Sequence, residues 1–262
     1  MTGSTFKNKI SITHIGTATA ILDIDGVTFL TDPFFSPAGT TWPWEDHVLK
    51  VHNDPALKMN ELPHIDAVLL SHEDHPDNLD ELGRQLLDGR HVVTTQEGAK
   101  NLAPRPNVIG FSDWQETSIR IAGKVFNITA TPCKHYPGHE CVGFIVHTED
   151  FGVAPDGRSN AVYFSGDTVY IEDLAKMAGK YHIAVALINL GKATFDDLQI
   201  TMCGSQAARL FRDIKADLLV PMHYESWGHF TQNENELAKE FETEGILEHV
   251  RWLKPGKAVE IN

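Results

Sequence analysis

The chain has 262 residues, 42% of them hydrophobic, which is enough to bury a sizeable core. Its formal net charge of −14 at pH 7 argues against a general binder of nucleic acid or acidic membranes, which needs a basic face. Three cysteines without a CxxC pair fit a reducing compartment and give little sign of a thiolate metal site.

In chain order, the stretch Met1 to Lys7 lacks the apolar core of a signal peptide, and no apolar run reaches membrane-spanning length, so a cytosolic location is expected. Ile10 to Thr13, Thr19 to Ile24 and Val27 to Thr31 are β-prone, with Asp25-Gly26 as a hairpin turn. Phe34 to His47 reads as a Pro- and aromatic-rich loop, either a pocket wall or a flap pinned by Trp42 and Trp44. The run Ala67 to Leu70 reads as a buried strand, and Asn78 to Leu87 as a helix, with Asp77 able to cap it.

Further strands are expected at His91 to Thr94, Val108 to Phe111, Ser118 to Ile121, Val125 to Thr131, Cys141 to His147, Ala161 to Ser165, Ile183 to Leu190, Leu218 to Met222, Val250 to Leu253 and Ala258 to Ile261. Helices are expected at Gln96 to Leu102, Ile171 to Ala178, Ser205 to Ile214 and Glu234 to Glu242. No linker stands out, so residues 1–262 read as one domain. Strand-rich meanders open each half and strand–helix alternation closes it, which predicts an α/β fold, a four-layer αββα sandwich with helices outside two facing sheets.

The polar residues that matter follow apolar strands. Ser71 to Asp80 packs two histidines and several carboxylates into ten residues. His135 lies between two prolines, Asp167 follows Gly166, and His223 ends the Leu218 strand. Strand-end loops on one sheet edge converge, so His72, His75, Asp77, His135, Asp167 and His223 can share one site. Six N/O donors without Cys are too many for one tetrahedral zinc and suit a dinuclear centre. Asn78, Tyr136, Lys192, Tyr224, Trp227 and His229 adjoin these positions and are candidate pocket residues, Lys192 as a point charge for an anionic group or as a solvated loop lysine. His14 fits a supporting or a purely structural role, and His139 is a rival to His135.

These motifs resemble the metallo-β-lactamase superfamily, and within it the metal-dependent hydrolases that include the L-ascorbate-6-phosphate lactonases. The motifs are Thr13 to Thr19, Leu30 to Pro33, Ser71 to Asp80, Thr131 to His135, Ser165 to Thr168 and Pro221 to His223, in family order. The resemblance implies a fold of the metallo-β-lactamase type with one or two Zn2+ ions, Mn2+ or Fe2+ being alternatives. His72, His75 and His135 would hold the first ion, and Asp77 and His223 the second, with Asp167 bridging. A hydroxide between them would attack a small-molecule ester, lactone or lactam, with Asp77 orienting it. Relatives of this branch often self-associate. The chain departs from the pattern twice. His72-Glu73-Asp74-His75 has one residue too many, leaving His72 or Glu73 for the first slot, and Asn78 replaces a ligating histidine, which weakens the second site. The alternatives are hydrolysis of a small phosphodiester, and a non-catalytic binding or sensing protein with a degraded metal site.

Overall fold

The computed structural model describes residues 6, 8–44 and 47–261. The first half supplies strands β1 (Ile10–Gly16), β2 (Thr19–Ile24), β3 (Val27–Thr31), β4 (Thr41–Trp44), β5 (His47–Lys50), β6 (Ala67–Leu69), β7 (His91–Thr95) and β8 (Val108–Phe111). The second supplies β9 (Glu116–Ile121), β10 (Lys124–Pro132), β11 (Val142–His147), β12 (Ser159–Phe164), β13 (Tyr181–Asn189), β14 (Thr194–Phe195), β15 (Leu198–Gln199), β16 (Leu218–Met222) and β17 (Ala258–Glu260). The helices are α1 (Glu81–Gln85), α2 (Gln96–Asn101), α3 (Met177–Lys180), α4 (Gly204–Ile214) and α5 (Glu234–Thr243).

Seven strands pair in the order β17-β1-β2-β3-β6-β7-β8, and six in the order β16-β13-β12-β11-β10-β9. The period-2 alternation of each strand decides which layer it fills. Phe29 of β3 and Phe126 of β10 meet between the sheets at 5.0 Å, edge to face. The neighbouring Leu30 faces the first helical layer with Leu79, Leu86 and Leu87. Likewise Val162 and Phe164 of β12 point between the sheets, while Ala161 and Tyr163 meet α4 and α5 through Leu210 and Phe241. The expected metallo-β-lactamase fold is thus present, with apolar alternation as its physical basis.

Strand direction positions the chemistry. β3, β6, β7 and β8 run parallel to one another, as do β12, β13 and β16. β10 is antiparallel to β11, which is antiparallel to β12, so β10 shares the second group's direction. The C-terminal ends of β3, β6, β10, β12, β13 and β16 therefore carry the polar loops, and a bond from Val142 N–H to the Ser71 carbonyl (3.0 Å) ties the two sheets there.

Four expectations are corrected. The expected loop from Phe34 to His47 holds most of a β4–β5 hairpin, in which Trp42 packs on Phe34 and Trp227; residues 45 and 46, like Met1 to Thr5 and Lys7, lie outside the described residues. The helix after β6 is only Glu81–Gln85, and its N-cap is Asp80 rather than Asp77, because Asp77 turns inward to two histidines. Ile171 to Ala178 is a 3-10 turn (Glu172–Lys176) running into α3. Val250 to Leu253 forms no strand; Val250 makes a single bridge to Leu219, and β17 alone closes the sheet edge. Among the described residues no helix is long and apolar enough to cross a membrane.

A polar clamp fastens the second sheet. Glu116 Oε2 accepts from Lys180 Nζ (2.8 Å), Tyr181 Oη (2.7 Å) and Thr129 Oγ1 (3.0 Å), joining β9, β10 and β13. The bonds from Lys180 and Tyr181 hold its carboxyl down at about 2, against an ordinary 4.5. A depressed carboxylate stabilises the native state above its unfolded pKa, and that stabilisation is lost as pH falls through the folded value. Wild type should therefore melt above Glu116→Gln at pH 7, by no more than about 1 kcal/mol because the side chain is 38% exposed. The gap should close between pH 4.5 and 2 in paired thermal melts. A gap independent of pH would remove the clamp from the account.

Candidate metal centre

Among the described residues the polar loops build three donor groups: two hold the expected ligands, and a third joins Asp74 and His139 to His75. The first unites His72, His75 and His135, and the second Asp77, Asp167 and His223, with the ligand atoms of each within 4.8 Å of one another. All six expected ligands are thus brought to one cleft edge.

In the first cluster, backbone-anchored hydrogen bonds fix which imidazole nitrogens are free. Ser71 Oγ donates to Asp32 Oδ2 (2.8 Å) and lies 2.8 Å from His72 Nδ1. A hydroxyl has one proton, so with Asp32 ionised His72 Nδ1–H donates to it, which leaves the lone pair on Nε2. That nitrogen is buried and unpartnered. Glu73, the rival for the same slot, instead accepts from Asn101 Nδ2 at 2.6 Å. His135 Nδ1 donates to the Ile200 carbonyl (2.9 Å), presenting its Nε2 lone pair 3.0 Å from His75 Nδ1. His139 pairs with Asp74 and stays outside the trio. Burial and the neighbouring imidazoles hold His72 well below the ordinary histidine range, and burial with His135 pulls His75 down to about 4. Imidazoles whose ligand atoms all lie within 4.8 Å of one another, with His72 and His75 kept neutral by burial, are what a borderline divalent cation requires.

The second cluster has the opposite electrostatics. His223 Nε2 stands 3.4 Å from Asp77 Oδ2 and 3.6 Å from Asp167 Oδ2, and neither ring nitrogen has a hydrogen-bond partner. Burial alone would lower His223, yet the carboxylates of Asp167, Asp77 and Asp32 raise it to about 9. Burial would raise Asp77, but His223 and His229 hold it well below the carboxylate range. Crowded carboxylates demand a positive charge between them, which a proton or a divalent cation supplies. The spacing favours the cation. Donors about 2.1 Å from a tetrahedral metal sit roughly 3.4 Å apart, longer than a good hydrogen bond.

The supporting residues explain why these loops hold still. Asp32, fully buried at φ 29°, also accepts from Ser71 N–H (2.7 Å) and Asn78 Nδ2 (3.0 Å). Asn189 Nδ2 donates to Asp167 Oδ1 at 2.7 Å. Gly166 has φ +58°, and a Cβ there would lie 2.6 Å from the Val142 carbonyl, so only glycine lets β12 turn Asp167 into the site. His14 Nε2 and the His223 N–H both meet the Thr17 carbonyl at 3.0 Å, which gives His14 its role beside a candidate ligand.

A narrow cleft lies over both clusters, walled by Trp44, Leu49, Phe195 and Ile200. Trp44 stands edge-on to His75 at 4.5 Å, with Tyr136 at the same rim. Of the other expected pocket residues His229 lines it and the rest do not. Lys192 is exposed, with only its backbone engaged, because the turn after β13 directs it to solvent. Tyr224 packs on Trp252 in the helical layer, Trp227 backs the flap through Phe34, and Asn78 is held behind the site by Asp32. Asn189 and the pair Asp32–Ser71 stand at strand ends, as the sequence places them, but their hydrogen bonds to Asp167 and His72 come from the tertiary fold. His229 lines the cleft from a loop with no strand before it.

Comparison with known proteins agrees with this fold. The family model described as "Beta-lactamase superfamily domain" matches residues 28–224. A UPF0173 metal-dependent hydrolase of Methanopyrus kandleri is 28% identical over 252 residues, covering 95% of this chain and 99% of the relative. Among solved structures, Igni18, a metallo hydrolase of Ignicoccus hospitalis, superposes with TM-score 0.73 at 23% identity over 97% of this chain and 99% of its own. An isothiocyanate hydrolase from Delia radicum gut bacteria gives 0.78 at 21%, covering 95% and 98% respectively. At that identity the two structures speak to the fold.

Proposed function

The chain belongs to the metallo-β-lactamase superfamily and is a metal-dependent hydrolase, and from that premise we propose that it uses zinc to open an ester, lactone or lactam of a small, uncharged molecule. The observation that carries this reading is the pair of donor clusters at the floor of one apolar-walled cleft. His72, His75 and His135 would hold one ion, and Asp77 and His223 a second, with Asp167 shared. When bound, such ions supply Lewis acidity toward a carbonyl oxygen and lower the pKa of water.

The chain's own residues do the rest. Trp44, Leu49, Phe195 and Ile200 take the apolar body of the substrate and exclude bulk water, which strengthens every charge interaction beneath them. Asp77, kept as a carboxylate, accepts a proton from the attacking water. As the C–O or C–N bond breaks, that proton passes to the leaving oxygen or nitrogen. Asn189 and the Asp32–Ser71 relay keep Asp167 and His72 aimed. Among the described residues no Lys or Arg lines the cleft. This favours a neutral substrate over a phosphodiester, and it separates the chain from the phosphorylated substrate of the lactonases it resembles.

The test pairs elemental analysis of the purified protein with a panel of neutral lactones, esters and lactams. About two ions per chain, with turnover abolished by chelation and restored by zinc, is the expected result. Protein that carries no metal and turns over nothing would instead be a binding or sensing module.

A further inference from the structure

We infer that His229 is a ligand of the second metal ion, taking the place that Asn78 leaves vacant. This rests on the dinuclear reading above and deepens it. The Nδ2 of Asn78 is committed to Asp32 Oδ2 at 3.0 Å, its Oδ1 is buried without a hydrogen-bond partner but is a far weaker metal donor than imidazole, and the residue does not line the cleft. The second cluster is therefore left with two carboxylates and a single imidazole, His223. His229 approaches that cluster through Asp77. Its Nε2 is 3.5 Å from Asp77 Oδ2, and His223 Nε2 is 3.4 Å from the same oxygen. Both distances are near the roughly 3.4 Å that separates neighbouring donors on a tetrahedral ion; His229 stands outside the mutually close set of Asp77, Asp167 and His223 and meets it through Asp77, so that a turn of its ring completes the ligand set.

The ring is caged by aromatic side chains. It stacks on Phe195 at 5.0 Å and 27°, and is flanked by Phe230 at 4.7 Å and Trp227 at 5.8 Å. Its Nδ1 is buried without a hydrogen-bond partner, so these rings set its orientation. A surface histidine meeting a carboxylate by chance would have neither the aromatic cage nor the buried nitrogen.

The experiment titrates chelator-stripped protein with Co2+ and reads bound equivalents and the visible d–d spectrum, for wild type, His229→Ala and His229→Gln. The glutamine variant keeps the bulk between the aromatic rings, so it remains readable if the alanine variant folds poorly. Two equivalents are expected in wild type. In the variants the first should bind unchanged and the second at least about tenfold more weakly, with an altered spectrum for that ion alone. Variants that take up both ions at wild-type affinity, or that lose the first ion instead, overturn the inference and leave the hydrolase reading intact. Wild-type protein that takes up no cobalt overturns both.

Discussion

Replacing Asp167 by Ala should cost the protein at least one of its metal ions and lower any hydrolytic turnover by at least about a hundredfold. Asp167 is 1% exposed, its Oδ2 faces His223 at 3.6 Å, and its Oδ1 receives the Asn189 amide at 2.7 Å. Removing it takes away a charged donor and lessens the negative potential that draws a cation into the cluster. It also strands the Asn189 amide in a dry site. Asp167→Asn, which keeps the volume and one oxygen, should retain the fold and still lose affinity, because an amide oxygen is a far weaker donor than a carboxylate. Elemental analysis of both variants reads the outcome. Two ions retained in Asp167→Ala would take this residue out of the centre.

The second large effect is on stability. Asp32→Ala should destabilise the fold by about 3–5 kcal/mol, lowering the melting temperature by roughly 10 °C. The side chain has no exposure and accepts three hydrogen bonds, from Ser71 N–H, Ser71 Oγ and Asn78 Nδ2. Alanine leaves all three donors without an acceptor, at about 1–3 kcal/mol each before relaxation. Alanine also sits poorly at φ 29°, where Asp and Asn are the better-tolerated non-glycine residues. Asp32→Asn should therefore fall between wild type and Asp32→Ala in thermal melts. An alanine variant as stable as wild type would mean that water fills the role assigned to the carboxylate. Because Ser71 is also the acceptor for His72, the alanine variant should bind its first metal ion more weakly as well.

Much of this was legible in the sequence because both the fold and the donors obey simple periodicities. Alternation in Val27 to Thr31 and Ala161 to Ser165 reflects strands whose two faces meet different apolar layers. Each donor follows such a strand, so parallel strand direction was enough to gather His72, His135, Asp167 and His223. What stayed hidden depends on partners distant in sequence. Thr41 to Trp44 contains Pro43 and alternates only between exposed and half-buried positions, so its strand character comes from pairing with His47–Lys50. Asp77 and Asp80 are equally good caps by residue type, and the choice is made by His223, 146 residues beyond Asp77. The excess residue between His72 and His75 is absorbed because Glu73 and Asp74 turn away to Asn101 and His139. His229 is a pocket candidate by its nearness to His223 in sequence, but its approach to Asp77 comes from the tertiary fold.

The most direct measurement is anomalous diffraction from crystals of the metal-loaded protein, collected at the absorption edge of the bound metal. The account predicts two peaks per chain, one among His72, His75 and His135, and the other among Asp77, Asp167, His223 and His229. Crystals with no anomalous peak at these residues, or with metal bound only elsewhere on the surface, would contradict it.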